Sequence, residues 1–134
     1  MREPTVGSPD GVCVSRGGEM KKIVWMSQHR PSASQIAALR GMFGDDVQVV
    51  LDPNPFDDAR EIAARFRRGG FDDMVVVCPL SVLDHLCRAG IRPLWSEAAE
   101  ENDPRKIEFR GARGQGFRFV RFRRVRRVAI EFED

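Results

Sequence analysis

An α/β fold built on a mainly parallel sheet is predicted by three observations. Short uninterrupted apolar runs recur along the chain, helix-period segments of 9–12 residues alternate with them, and most junctions carry a helix start or stop signal. The 134 residues are 42% hydrophobic and 31% charged, a globular composition that argues against a disordered chain. That length suits one domain, which can bury roughly two-thirds of its unfolded surface without disulfides or a structural metal.

Residues 1–20 hold four glycines and two prolines with no periodicity, and read as a disordered leader; Met20, directly before the first strand, is a candidate start. A single domain is expected over residues 21–134. Ile23, Val24, Trp25 and Met26 form the first strand. After the loop Ser27, Gln28, His29, Arg30 and Pro31, Ser32 and Gln35 form a capping box, in which each side chain reaches the other's backbone amide. Ile36, Leu39, Met42 and Phe43 follow near helical spacing, and Gly44 is placed to end the helix. The unit repeats with a strand over residues 47–51, a turn through Asp52, Pro53, Asn54 and Pro55, and a helix capped by Asp57 or Asp58 with Ala59, Ile62, Ala63 and Phe66 on one face. It repeats again with the most apolar strand, residues 74–78, then Pro79 and Leu80, and a helix capped at Ser81 with Val82, Leu83, Leu86 and Cys87 inward. Residues 91–95 supply a fourth strand. Together these describe a small Rossmann-like domain with about four parallel strands and flanking helices.

The C-terminal part, about residues 105–134, differs. Residues 106–110, 117–122 and 128–133 alternate at period two around a turn with Gly111, Gly114 and Gly116, which predicts an antiparallel β-hairpin extension at the sheet edge. Arg123 and Arg124 interrupt the alternation and predict a bulge there.

A net charge of +2 conceals a strong asymmetry. Residues 45–104 carry six basic and thirteen acidic side chains, net −7, whereas residues 105–134 carry ten basic and four acidic, net +6. A uniformly basic nucleic-acid binder is excluded; either a local anion site or a charge match within or between subunits is implied. Cys13, Cys78 and Cys87 show no disulfide-framework or zinc spacing. No apolar run reaches the ~20 residues of a membrane helix, and none near Met1 resembles a signal sequence, so a cytoplasmic protein away from the membrane is expected.

In an open α/β sheet, ligands bind beyond the carboxyl ends of the strands, where helix N-termini offer free amides to phosphate. No glycine-rich dinucleotide fingerprint, P-loop or nucleophile elbow is present, so no cofactor and no metal are expected. His29, with Ser27 and Arg30, offers a general acid or base, hydroxyl and amide donors, and a cation for phosphate. The same residues also fit an exposed loop beside an ordinary helix cap. Gln28, Ser32, Asn54, Pro79, Leu80 and Ser81 complete the candidate ligand-binding set. His85 fits the edge of its helix's apolar face, and Cys78 and Cys87 fit buried apolar positions. Arg118, Arg121, Arg123, Arg124, Arg126 and Arg127 form a candidate basic patch. Interleaved with Phe117, Phe119 and Phe122, they suit nucleic acid if the rings are exposed, or a strand with apolar residues inward if they are not.

The strand ending at Met26, followed by Ser27, His29 and a helix with Gln35 in its first turn, resembles the small single-domain CRISPR-associated ring nucleases, which are similar to CARF (CRISPR-associated Rossmann-fold) domains. The likeness spans roughly residues 21–95, including the apolar strand before Pro79, Leu80 and Ser81. In those relatives Ser and His are adjacent, whereas Gln28 separates them here. The resemblance implies binding of cyclic oligoadenylate across a homodimer and metal-independent cleavage that leaves a 2′,3′-cyclic phosphate. It does not cover the Arg-rich tail. A nucleic-acid-binding accessory protein and a non-catalytic nucleotide sensor are the competing expectations.

Overall fold

The computed structural model describes residues 20–133. Except for Met20, the expected leader therefore lies outside the described residues, as does Cys13. The elements run β1 (Lys22–Met26), α1 (Ala33–Phe43), β2 (Gln48–Leu51), α2 (Ala59–Arg68), β3 (Asp73–Val76), α3 (Leu80–Arg88), β4 (Leu94–Glu100), β5 (Phe109–Arg110) and β6 (Gly116–Arg124). They form one mixed six-stranded sheet in the order β2-β1-β3-β4-β6-β5. The first four strands are parallel, and β6 and β5 are antiparallel to their neighbours.

The pleat of β1 explains the two-sided core. Ile23 and Trp25 point to the face covered by Leu39 of α1, while Val24 and Met26 point to the face covered by Ile62 and Ala63 of α2 and Leu86 of α3. All four residues of β3 are buried, as a central strand covered on both faces requires. Complete burial of side chains such as Ile23, Leu39 and Ile62 stabilises the fold by about 1.5–3 kcal/mol each. The capping box forms as its sequence dictates: Gln35 N donates to Ser32 Oγ and Ser32 N donates to Gln35 Oε1. Gly44 ends α1 at φ 107°, a conformation that disfavours any Cβ.

Four expectations need correction. The fourth strand starts at Leu94, because Pro93 has no amide for a ladder, and it continues through Glu100. Ser81 is not a cap: the Pro79 carbonyl accepts from Val82 N and Leu83 N, so Pro79 is the cap, α3 begins two residues earlier, and Ser81 is exposed in its first turn. The bulge lies at Val120, since Glu97 pairs with Arg121 and Ala98 with Phe119, whereas Arg123 and Arg124 pair regularly with Trp95 and Leu94. Residues 128–133 form no strand; the period-two pattern is there, but no described strand runs beside it.

One register positions the site. Leu94, the first residue of β4, pairs with Val75, near the end of β3. Most of β4, with β6 and β5 beyond it, therefore runs past the carboxyl ends of the parallel strands. Phe119 and Phe122 anchor this wall, Phe122 meeting Trp25 edge-on at 6.1 Å between centroids.

Candidate functional site

The β1–α1 loop sits where the parallel strands end. Successive strands lie on opposite sides of β1, with β2 on one flank and β3 on the other, so the chain reverses direction across the sheet here and leaves a crevice. Two open depressions meet at this loop. The smaller, about 240 Å³, is bordered by Gln28, Asp52, Asn54 and Phe56; the larger, about 540 Å³, lies towards the β4–β6 wall. Ser27, His29 and Val77 border both, so the loop forms a ridge between them. The larger falls within the usual size of a small-molecule site, and the smaller does not.

The ridge is braced from below. Trp25 Nε1 donates to the His29 carbonyl at 2.8 Å, and His29 N donates to Ser27 Oγ at 3.1 Å. These bonds use the His29 backbone and leave its exposed ring, like the Arg30 guanidinium, unengaged by the described residues. Across the larger depression stand Arg110 and Glu108, and its floor is apolar: Trp25, Val75, Val77, Ala98 and Phe109. In the smaller one, Asn54 Nδ2 donates to Asp52 Oδ1 at 2.9 Å and Arg65 lies 3.6 Å from Asp52, so the acid is already matched.

Glu108 was not foreseen. Its Oε1 accepts from Ser32 Oγ at 2.9 Å and from Ser34 Oγ, and its Oε2 accepts from Phe119 N at 3.1 Å. Burial pushes its carboxyl up, but these hydrogen bonds, chiefly those from Ser34 and Ser32, and the charge of Arg118 outweigh burial and hold it below the ordinary glutamate value. The free end of α1, expected to receive a ligand phosphate, thus holds an internal carboxylate. Gln35, 4% exposed, carries the α1 end to the wall by donating to Ser96 Oγ at 2.9 Å. The serine pair at the start of α1 and the lone glutamate in a basic segment were the only signals of this contact.

The remaining expected residues scatter. Pro79, Leu80 and Ser81 are exposed at the start of α3 and border neither depression. His85 is exposed rather than packed at a core edge, because it falls on the side of α3 opposite Leu83 and Leu86. Cys78 is half-buried and its thiol is pushed up to about 11 by burial and the nearby Cys87 thiol; burial likewise raises Cys87. Neither is a thiolate near neutral pH.

Most of the basic patch is matched internally. Arg118 pairs with Glu101 at 3.1 Å, and Arg121 and Arg123 share Glu97 at 2.8 and 3.9 Å. Arg124 grips both oxygens of the buried Asp73 at 2.6 Å, which raises its own pKa chiefly through that hydrogen bonding. Arg126 and Arg127 are exposed with no ion pair among the described residues. Phe119 and Phe122 point into the core, so neither is a platform for bases.

Comparison with known protein families, characterised proteins and solved structures finds no match to this chain. No helix among the described residues is long and apolar enough to cross a membrane.

Proposed function

We propose that this Rossmann-like domain binds a cyclic oligoadenylate in the larger depression and cleaves it without metal. The observation that carries the reading is the 540 Å³ depression itself, an apolar floor with His29, Arg30 and Arg110 at its border. A flat base can lie on Val77 and Phe109 while its phosphate meets Arg30 and Arg110. Such a division of apolar and charged contacts suits a nucleotide better than a sugar or a metal ion. The short likeness around Ser27 and His29 supports the choice of ligand.

In the reaction, a ribose 2′-hydroxyl attacks the adjacent phosphorus and the bond to the 5′-oxygen breaks. The products are a 2′,3′-cyclic phosphate and a 5′-hydroxyl. His29, free at its ring, exchanges the proton; Arg30 offsets the charge that builds on the phosphoryl oxygens; Ser27 fixes the loop through the His29 amide. A ring ligand asks for two copies of the chain around it.

The test is incubation of the full chain with cyclic tri-, tetra- and hexa-adenylate in EDTA, with chromatographic separation of products. Linear products ending in 2′,3′-cyclic phosphate support the reading. A raised melting temperature without cleavage reduces it to a sensor. Neither effect rejects it and brings forward nucleic-acid binding through Arg126 and Arg127.

A further inference from the structure

The tail after β6 carries a strand's alternation but pairs with no described strand. Its alternate residues Val128, Ile130 and Phe132 are apolar, yet Ile130 and Phe132 are 71% and 83% exposed. Past the bond from Val125 N to the Pro93 carbonyl, no backbone hydrogen bond ties residues 126–133 to the rest of the described chain. A segment with alternate apolar residues and backbone groups left unpaired among the described residues is a template for another strand.

The charges say which strand. Set antiparallel to itself about Ile130, the segment places Ile130 opposite Ile130 of a second copy, Val128 opposite Phe132, Arg127 opposite Glu133, and Ala129 opposite Glu131. All apolar side chains then share one face, both Arg127 residues face an acid, and no like charges stand opposite each other. A slip of one residue mixes the faces, setting Val128 against Glu131. A slip of two in one direction faces Phe132 with Arg126; in the other direction it faces Glu131 with itself. The sheet's own edges are poorer partners: β5 is only two residues long, and β2 is flanked by acids. Asp45 and Asp46 precede it and Asp52 follows it, so either direction of pairing sets a tail glutamate against an aspartate.

We propose that two copies of this chain associate through residues 127–133, paired antiparallel about a twofold axis at Ile130. The contact is isologous and closes as a dimer. It goes beyond the proposed ligand and does not depend on it. The tail leaves β6 at Arg124, whose side chain reaches Asp73 at the start of β3, the end of the parallel strands away from His29. Both crevices stay open, and this contact is separate from the pairing of two copies that a ring ligand asks for around itself.

The test is the mass of the full chain by sedimentation or light scattering from micromolar to submillimolar concentration. A dimer is expected. Arg127→Glu should weaken it by roughly tenfold or more through two repulsive pairs, and Glu133→Arg added to Arg127→Glu should restore it. Ile130→Cys should cross-link two copies under mild oxidation, while Ala129→Cys should not. A monomer throughout, a dimer indifferent to Arg127→Glu, no rescue by the double exchange, or cross-linking at position 129 instead of 130 would each overturn the proposal. Because residues 126–133 make no backbone hydrogen bond to the body, the melting temperature of each monomeric variant serves as the check that the fold is intact.

Discussion

The arginines of β6 and the basic side chains of the β1–α1 loop are alike in chemistry and do different things. On β6, Arg118, Arg121, Arg123 and Arg124 each find a carboxylate supplied by β4, by the residue after it, or by the start of β3. On the loop, His29 and Arg30 have no such partner among the described residues and border an apolar hollow. The first group stands out in the sequence because it is dense, but that density is matched by acidic neighbours. Sparse, unmatched cations beside apolar surface are better evidence of a ligand than a long run of paired ones.

The contrast breaks most sharply at His29. His29→Ala should lower cleavage of a cyclic oligoadenylate by about 10²–10⁴-fold, the usual range for one general acid or base, while binding and melting temperature stay near those of the parent. Unchanged turnover would remove the ring from the chemistry. Asp73→Ala should do the reverse, because it strands Arg124 against the Arg92 carbonyl and unties β6 from the parallel core. Loss of a partner from a fully buried pair costs 3–5 kcal/mol; Arg124 is 45% exposed and can rehydrate, so about 2 kcal/mol in urea denaturation is expected, with turnover unaffected. A loss of activity at constant stability would mean that β6 belongs to the site.

Much of this architecture was legible from residue pattern. The alternating units through α3 announced themselves because β1 and β3 are covered on both faces and read as plain apolar runs, and Ser32 with Gln35 named its own helix start. The wall was harder to see. Ser96, Glu97, Ala98, Ala99 and Glu100 have no apolar side to reveal a strand, since their pairing with β6 is held by backbone and charge. Tail residues 128–133 carry a strand's pattern but not its neighbour, and pattern cannot count partners. The place of His29 and Ser27 after the first strand, at the border of both depressions, was legible in the sequence order. Glu108, 76 residues from Ser32, could not be, because only the fold of the wall brings it there.

Glu108 sharpens the comparison in a third way, since it is an acid spent on the loop side. Glu108→Gln keeps an acceptor for Ser32 and Ser34 but removes a negative charge from the border of the larger depression. Nucleotide affinity should rise by about three- to tenfold, the ~1 kcal/mol of one like charge near 4 Å in water. A pH signature goes with it. The carboxyl is held below its ordinary value in the fold, so its contribution to stability is present above that ordinary value and is lost as pH falls through the folded value. Melting curves of the parent should therefore lose more on acidification than those of Glu108→Gln, and identical curves would show the contact to be idle.

The smallest effect is expected where the charge is densest. Arg121 and Arg123 are each 61% exposed and share one acid, Glu97. Exposed pairs of this kind contribute about 0.2–1 kcal/mol and are screened by salt. Arg121→Ala with Arg123→Ala should therefore cost less than about 1 kcal/mol, with the difference vanishing in high salt. Retention of single-stranded RNA should change little as well, because Glu97 already offsets these charges and the neighbouring rings of Phe119 and Phe122 are turned into the core. Should the double variant instead abolish a salt-dependent RNA affinity, the pairing seen on β6 would be a resting state that nucleic acid displaces, and the division between paired and unpaired cations would no longer locate the site.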